Sequence, residues 1–156
     1  MSVELPFRKN VSIILINQDN HLLLGERFSQ KGIWQFPQGG VEDQDSLEET
    51  VYREIEEELG LPRKAVKIIK QLQATNKYSW EVVPAHFAGK FQGQDQTFWL
   101  VELCDSTAKF NLLQEHQEFQ QVQWVKIEDV LQIVEPARVP GYSSAIDEIK
   151  KYLDQQ

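Results

Sequence analysis

Two apolar periodicities take turns along this chain. Val11 to Ile16 is a dense β-type run, and His21 to Arg27 resumes it after the turn-forming Asn17-Gln18-Asp19-Asn20, so the pair predicts a hairpin. Trp34-Gln35-Phe36 predicts a short strand, stopped by Pro37 and then by Gly39-Gly40. Further strands are predicted at Val66 to Leu72, Tyr78 to Val83, Ala85 to Phe91, Phe98 to Cys104 and Val122 to Val125. The helical pattern enters once in the middle of the chain. Asp45 or Ser46 can cap this helix, with Glu48 or Glu49 three residues on, and it runs to about Leu59. Gly60 suits the left-handed position after it, and Pro62 blocks continuation. A short helix over Ile127 to Val134 and an amphipathic one over Ser143 to Leu153 follow. Strands and helices are interspersed without strict alternation, repeats or linkers. The expectation is one domain over residues 1–156, an α/β fold of the α+β type with a mixed sheet between helices.

Composition narrows the function classes. The chain has 156 residues, 41% hydrophobic and 26% charged, ordinary values for a globular protein. Its apolar runs are too short to span a bilayer, and Met1 to Asn10 lacks the apolar stretch of a signal peptide. Cys104 is the only cysteine, so no intrachain disulfide forms, and a reducing cytoplasm is the expected compartment. The net charge of −8 argues against a broad nucleic-acid-binding face, which needs basic residues to neutralise phosphates. It leaves room for recognition of one polyphosphate end when cations supply the positive charge.

The chemistry concentrates in Arg53-Glu54-Ile55-Glu56-Glu57-Glu58-Leu59-Gly60-Leu61. On a helix Glu54, Glu57 and Glu58 stand at i, i+3 and i+4 and share a face. Like charges so placed repel by a few tenths of a kcal/mol per pair, and a bound cation removes that cost. Clustered hard oxygen donors suit Mg²⁺ or Mn²⁺, which bridge substrate phosphates. Arg53 can orient one of these glutamates. The competing interpretation is a solvated acidic helix face. The preceding Pro37-Gln38-Gly39-Gly40 weighs against it, because its glycines let backbone approach a ligand closely, and main-chain carbonyls there, with Gly39 the candidate, could complete a metal site.

Gly39 to Leu61 resembles the signature of the Nudix hydrolase family: Gly, five residues, Glu, seven residues, then Arg-Glu-aliphatic-any-Glu-Glu-any-Gly-aliphatic. Gly39, Arg53, Glu54, Ile55, Glu57, Glu58, Gly60 and Leu61 fit, and Asp45 stands where the family usually has Glu. The resemblance implies a Nudix fold, a mixed sheet sandwiched between helices. It also implies hydrolysis of nucleoside diphosphates linked to another group, with divalent cations holding the phosphates while water attacks phosphorus.

Within the family, three stretches are similar to RNA pyrophosphohydrolases and the related diadenosine polyphosphate hydrolases. They are Trp34 to Gly40, Gly93-Gln94-Asp95-Gln96-Thr97-Phe98-Trp99, and Glu118-Phe119 followed by Trp124-Val125. Arg8 to Val11 and Arg27 to Gln30 fit the RNA enzymes. This implies removal of pyrophosphate from a 5′-triphosphorylated RNA end. Glu54, Glu57 and Glu58 are then metal ligands or, for one of them, the water-activating group, and Glu118 is a further ligand or general base. Arg8 and Arg27 are candidates to contact phosphate or the first nucleotide, Gln38 and Gly39 to offer a carbonyl to metal, with Gln38 also a candidate substrate contact, and Tyr142 to border the substrate cleft. His21, His86 and His116 show no ligand spacing among themselves, and Cys104 is expected to be a buried small hydrophobe. Trp80, Trp99, Trp124 and Tyr78 are candidates for base stacking, though strand-spaced aromatics are mostly core. Two alternatives stand beside the RNA enzyme: a hydrolase of diadenosine polyphosphates or nucleoside triphosphates, and a non-catalytic nucleotide-binding module. The last would be expected to have lost one of the helix glutamates. A homodimer is admitted as an assembly.

Overall fold

The computed structural model describes residues 4–42 and 44–156. Met1 to Val3, part of the N-terminal stretch considered above, lie outside the described residues. The strands are β1 (Phe7–Ile16), β2 (Leu22–Arg27), β3 (Trp34–Gln35), β4 (Gln38–Gly40), β5 (Val66–Ser79), β6 (Gly93–Leu103) and β7 (Phe119–Val125). The helices are α1 (Leu47–Leu59), α2 (Val130–Ile133) and α3 (Val139–Asp154). One mixed sheet runs in the order β3-β2-β1-β6-β5, with β4 paired to β1 and β7 to β2. Among the described residues only β1 and β6 pair in parallel; the other pairings are antiparallel.

The unbroken apolar run in β1 has a direct cause: both faces of the sheet are covered. Val11, Ile13 and Leu15 point to one side with Leu23, Trp99 and Val101, and pack on Val51, Ile55 and Leu59 of α1. Ile14 and Ile16 point to the other with Leu22, Leu24, Phe98 and Leu100, and pack on Tyr142, Ala145, Ile146 and Ile149 of α3. Each such side chain contributes about 1.5–3 kcal/mol on full burial. Helices and strands thus form the α+β sandwich that the pattern predicted.

The structure corrects several boundaries. β5 continues unbroken to Ser79, and the two strands expected at Tyr78 to Val83 and Ala85 to Phe91 are absent. The chain leaves the sheet at Trp80 and makes a 3₁₀ turn at Ala85–Phe87 behind Pro84. The aromatic residues that suggested strands pack on one another instead: Trp80 stacks on Phe87 at 5.4 Å, and Phe91 meets Phe87 edge-on at 5.7 Å. Gln38–Gly40, read from the sequence as the end of the preceding strand, is itself the short strand β4, paired Val11 to Gly39 and Ser12 to Gln38. The region of the expected short helix is a 3₁₀ turn, Ile127–Asp129, leading into the single turn of α2. α3 begins at Val139, four residues before the expected start. Cys104 is exposed, because β6 ends at Leu103 and the alternation no longer points inward.

Candidate active site

Helix α1 sets the geometry. Ser46, rather than Asp45, caps it: its Oγ accepts from the Glu49 N–H at 3.1 Å. Gly60, at φ 71°, ends it, and its N–H donates to the Glu56 carbonyl at 3.0 Å. Because Val51, Ile55 and Leu59 turn into the core, Glu54, Glu57 and Glu58 are carried along the margin of the buried face. They share a side, as their spacing requires, but not an environment. Glu54 is 8% exposed and Glu58 is 5% exposed, whereas the Glu57 side chain is 57% exposed.

Strand β4 crosses directly over this margin. A Cβ on Gly39 would overlap the Glu54 carboxylate, and one on Gly40 would overlap the Arg8 guanidinium. A side chain at either position would push the Glu54 carboxylate or the Arg8 guanidinium out of place. Arg53 ties the approach together. Its Nη1 donates to Glu54 Oε1 at 2.9 Å and lies 3.4 Å from both Glu57 and Glu42, its Nη2 donates to the Gly40 carbonyl at 3.1 Å, and its Nε donates to Asp45 Oδ2 at 3.3 Å. Asp45 thus serves as a salt-bridge partner of Arg53, which explains how the shorter acid is accommodated. Replacing Arg53 with Lys keeps one charge but loses the fork. The expected result is a fall in metal affinity of about 10-fold or more, read by Mg²⁺ titration of activity.

Glu58 is the most constrained acid. Burial, then the neighbouring charges of Glu54 and Glu118, push its carboxyl well above the ordinary range. Burial also raises Glu54, opposed by Arg53. Glu58 Oε2 is buried without a hydrogen-bond partner. An orphaned carboxylate oxygen beside two further carboxylates fits a divalent cation. Among the described residues, no three His, Cys, Asp or Glu side chains already converge as a metal cage.

These groups open into a cleft of about 650 Å³. It brings together eight of the sequence-predicted residues: Glu54, Glu57, Glu58, Glu118, Gly39, Gln38, Arg8 and Arg27. Glu118 reaches in from the segment before β7, whose backbone is fastened by the Phe28 N–H to the Glu118 carbonyl at 2.8 Å. Arg8 stacks its guanidinium on the Phe87 ring at 4.7 Å, and burial lowers its pKa. The sequence reading missed Asn10, Gln35, Gln94, Gln114, Glu115 and His116, which also line the cleft. The Gln94 position was within a noted stretch, but His116 carried no spacing signal; it is placed by the loop leading to Glu118. Except for His116, no aromatic side chain lines the cleft among the described residues. Trp99 is core, Trp124 packs against Phe110, and Tyr78 and Trp80 lie outside the cleft.

Tyr142 is not at the cleft. It is 1% exposed, its ring packs on Phe36 at 4.6 Å, and its hydroxyl oxygen accepts from the Phe36 N–H at 3.2 Å. The early start of α3 is the reason: with Ala145, Ile146 and Ile149, Tyr142 occupies the inward stripe. Tyr142→Phe leaves that buried N–H unpaired, so a loss of about 1–3 kcal/mol in denaturant unfolding is expected, with KM unchanged. A raised KM at unchanged stability would return Tyr142 to the substrate.

Comparisons with known proteins bear on the family and the fold. The sequence model of the NUDIX domain matches residues 6–147. An RNA pyrophosphohydrolase of Pelagibacter ubique is 28% identical over 155 residues, covering 97% of each chain. One from Wolbachia sp. subsp. Drosophila simulans is 31% identical over 150 residues, covering 94% of this chain and 91% of the relative. Among solved structures, a C. elegans Ap4A hydrolase in a binary complex superposes with a TM-score of 0.67 at 17% identity, covering 94% of this chain and 99% of the other. A Nudix hydrolase of Listeria monocytogenes gives 0.68 at 22% identity, covering 96% and 95%. At these identities the structures speak to the fold alone. The domain match across nearly the whole chain settles the family: this protein belongs to the Nudix hydrolases and is a pyrophosphohydrolase acting on acid anhydrides.

Proposed function

We propose that this protein is a metal-dependent RNA 5′-pyrophosphohydrolase that converts a 5′-triphosphorylated RNA end to a 5′-monophosphate. The observation that carries the reading is the lining of the cleft. Six glutamates (Glu42, Glu54, Glu57, Glu58, Glu115 and Glu118) face two guanidiniums, Arg8 and Arg27. A polyphosphate enters such a field only with cations, and the two arginines then meet its oxygens. Glu54, Glu57 and Glu58, with the Gly39 carbonyl and Glu118, are the residues that would hold Mg²⁺ or Mn²⁺. When bound, the ion supplies charge neutralisation and polarises the phosphoryl oxygens. Arg53 keeps Glu54 aligned, and Glu118 is the candidate to take the proton of the attacking water. That water's oxygen forms a new bond to phosphorus as the P–O–P linkage breaks and pyrophosphate leaves. The whole chain acts as one catalytic domain in this reading, in the cytoplasm, as a monomer or a homodimer.

The curated relatives carry the RNA name. Hydrolysis of diadenosine polyphosphates is the second reading, supported by the shared fold with an Ap4A hydrolase. A purely binding module is disfavoured by the retention of all three helix glutamates. The test is a side-by-side assay with Mg²⁺ on 5′-triphosphorylated RNA, diadenosine tetraphosphate and nucleoside triphosphates. The expected result is rapid conversion of RNA to its 5′-monophosphate with slow turnover of the small substrates. The reverse order would move the protein to nucleotide hydrolysis.

A further inference from the structure

Beneath the cleft floor lies a neutral network that the metal chemistry does not use. Gln96 on β6 is 1% exposed and sits opposite Asn10 of the parallel neighbour β1. Its Nε2 donates to Asn10 Oδ1 at 2.8 Å and to Gln38 Oε1 at 2.8 Å. A primary amide has two N–H donors, so both are used here. Asn10 is itself 2% exposed, and both Asn10 and Gln38 line the cleft. With their carbonyl oxygens engaged from below, the ends left to meet the cleft are the two NH₂ groups.

We propose that Gln96 is a positioning residue that fixes the polarity of this floor, aiming the Asn10 and Gln38 amide donors at a non-bridging phosphate oxygen of the substrate. The inference rests on the reading of the cleft as a polyphosphate site. Polarity matters because the wall is already acidic. Two carbonyls turned outward would add to the field that repels phosphate, whereas two NH₂ groups beside Arg8 offset it without adding a charge to desolvate. Gln96 has no route to the substrate except through these two side chains.

The direct test is the side-chain NH₂ resonances of Asn10 and Gln38 in ¹⁵N-labelled wild-type protein with Mg²⁺. They are assigned by their loss in Asn10→Asp and Gln38→Glu, and the probe is a short RNA whose 5′-triphosphate carries methylene groups in place of its bridging oxygens. Both NH₂ pairs are expected to shift on saturation, together with backbone signals of residues 54–58. Backbone shifts with silent NH₂ pairs would overturn the polarity assignment and leave the cleft reading standing; no shift anywhere would overturn both. The kinetic counterpart is Gln96→Glu, whose carboxylate accepts and so turns both amides over. Its KM for 5′-triphosphorylated RNA should rise about 10-fold or more, with kcat within about threefold, because hydrogen bonds to a charged group are lost. Gln96→Leu, which releases the amides without adding charge, should raise KM by about threefold, the smaller effect of losing orientation alone. Wild-type KM in a folded Gln96→Glu would contradict the proposal.

Discussion

Glu58→Gln is expected to raise the melting temperature of the metal-free protein while lowering Mg²⁺-dependent turnover by about 10²-fold or more. The two effects have one origin. Glu58 is 5% exposed, its Oε2 has no partner, and its carboxyl titrates well above the ordinary range because of burial and the nearby Glu54 and Glu118. A carboxyl whose folded pKa is raised binds its proton more tightly in the folded than in the unfolded chain. The stability it confers is therefore fully present below the ordinary glutamate range and is lost as the pH climbs through the folded value. Metal-free protein should melt progressively lower from acidic to neutral pH. Gln, being uncharged, removes that decline. Saturating Mg²⁺ should also oppose it in the wild type, because the ion replaces the proton, so the Mg²⁺-induced rise in melting temperature grows with pH. Calorimetry of both proteins across pH, with and without Mg²⁺, checks the prediction. A metal-free variant less stable than wild type at neutral pH would show that Glu58 is not a strained acid.

Glu57→Gln should separate activity from stability in a different way. The Glu57 side chain is 57% exposed and touches Arg53 only at 3.4 Å, so its loss should change unfolding by no more than about 0.5 kcal/mol. It nevertheless opens directly into the cleft beside Glu54 and Glu58. Turnover is expected to fall by about 10²-fold or more, with the melting temperature of the metal-free protein unchanged. Full turnover in this variant would remove Glu57 from the metal set. The contrast between the two glutamates follows from where one helix places them: Glu58 is 5% exposed beside Glu54 and Glu118, whereas the Glu57 side chain is 57% exposed.

The parts of the protein that were legible in the sequence are those set by short-range spacing. Glu54, Glu57 and Glu58 share a face because a helix turns about 100° per residue, and Ser46 and Gly60 bound that helix through local hydrogen bonds. What failed depended on distant partners. Trp80, Phe87 and Phe91 have strand propensity, but they satisfy one another in a loop once β5 and β6 have paired. Tyr142 sits next to Gly141, a neighbourhood that suggested a cleft border. Its place is decided by where α3 begins and by Phe36, more than a hundred residues away. The roles of Gly39 and Gly40 were half legible: the sequence showed that backbone could approach something closely, and the structure shows that it approaches Glu54 and Arg8. Asn10 and Gln96 lay in stretches that the family resemblance marked, but their pairing was not legible, because a buried amide pair across two parallel strands leaves no periodic trace.

If the carboxylate face of α1 holds the divalent ion, electron paramagnetic resonance of added Mn²⁺ reports that binding without reference to turnover. Titrating Mn²⁺ at neutral pH into wild type, Glu58→Gln and Glu57→Gln should show the free-ion signal suppressed by the wild type and at least about 10-fold weaker uptake by each variant. Equal uptake by all three folded proteins would place the ion elsewhere and contradict the account.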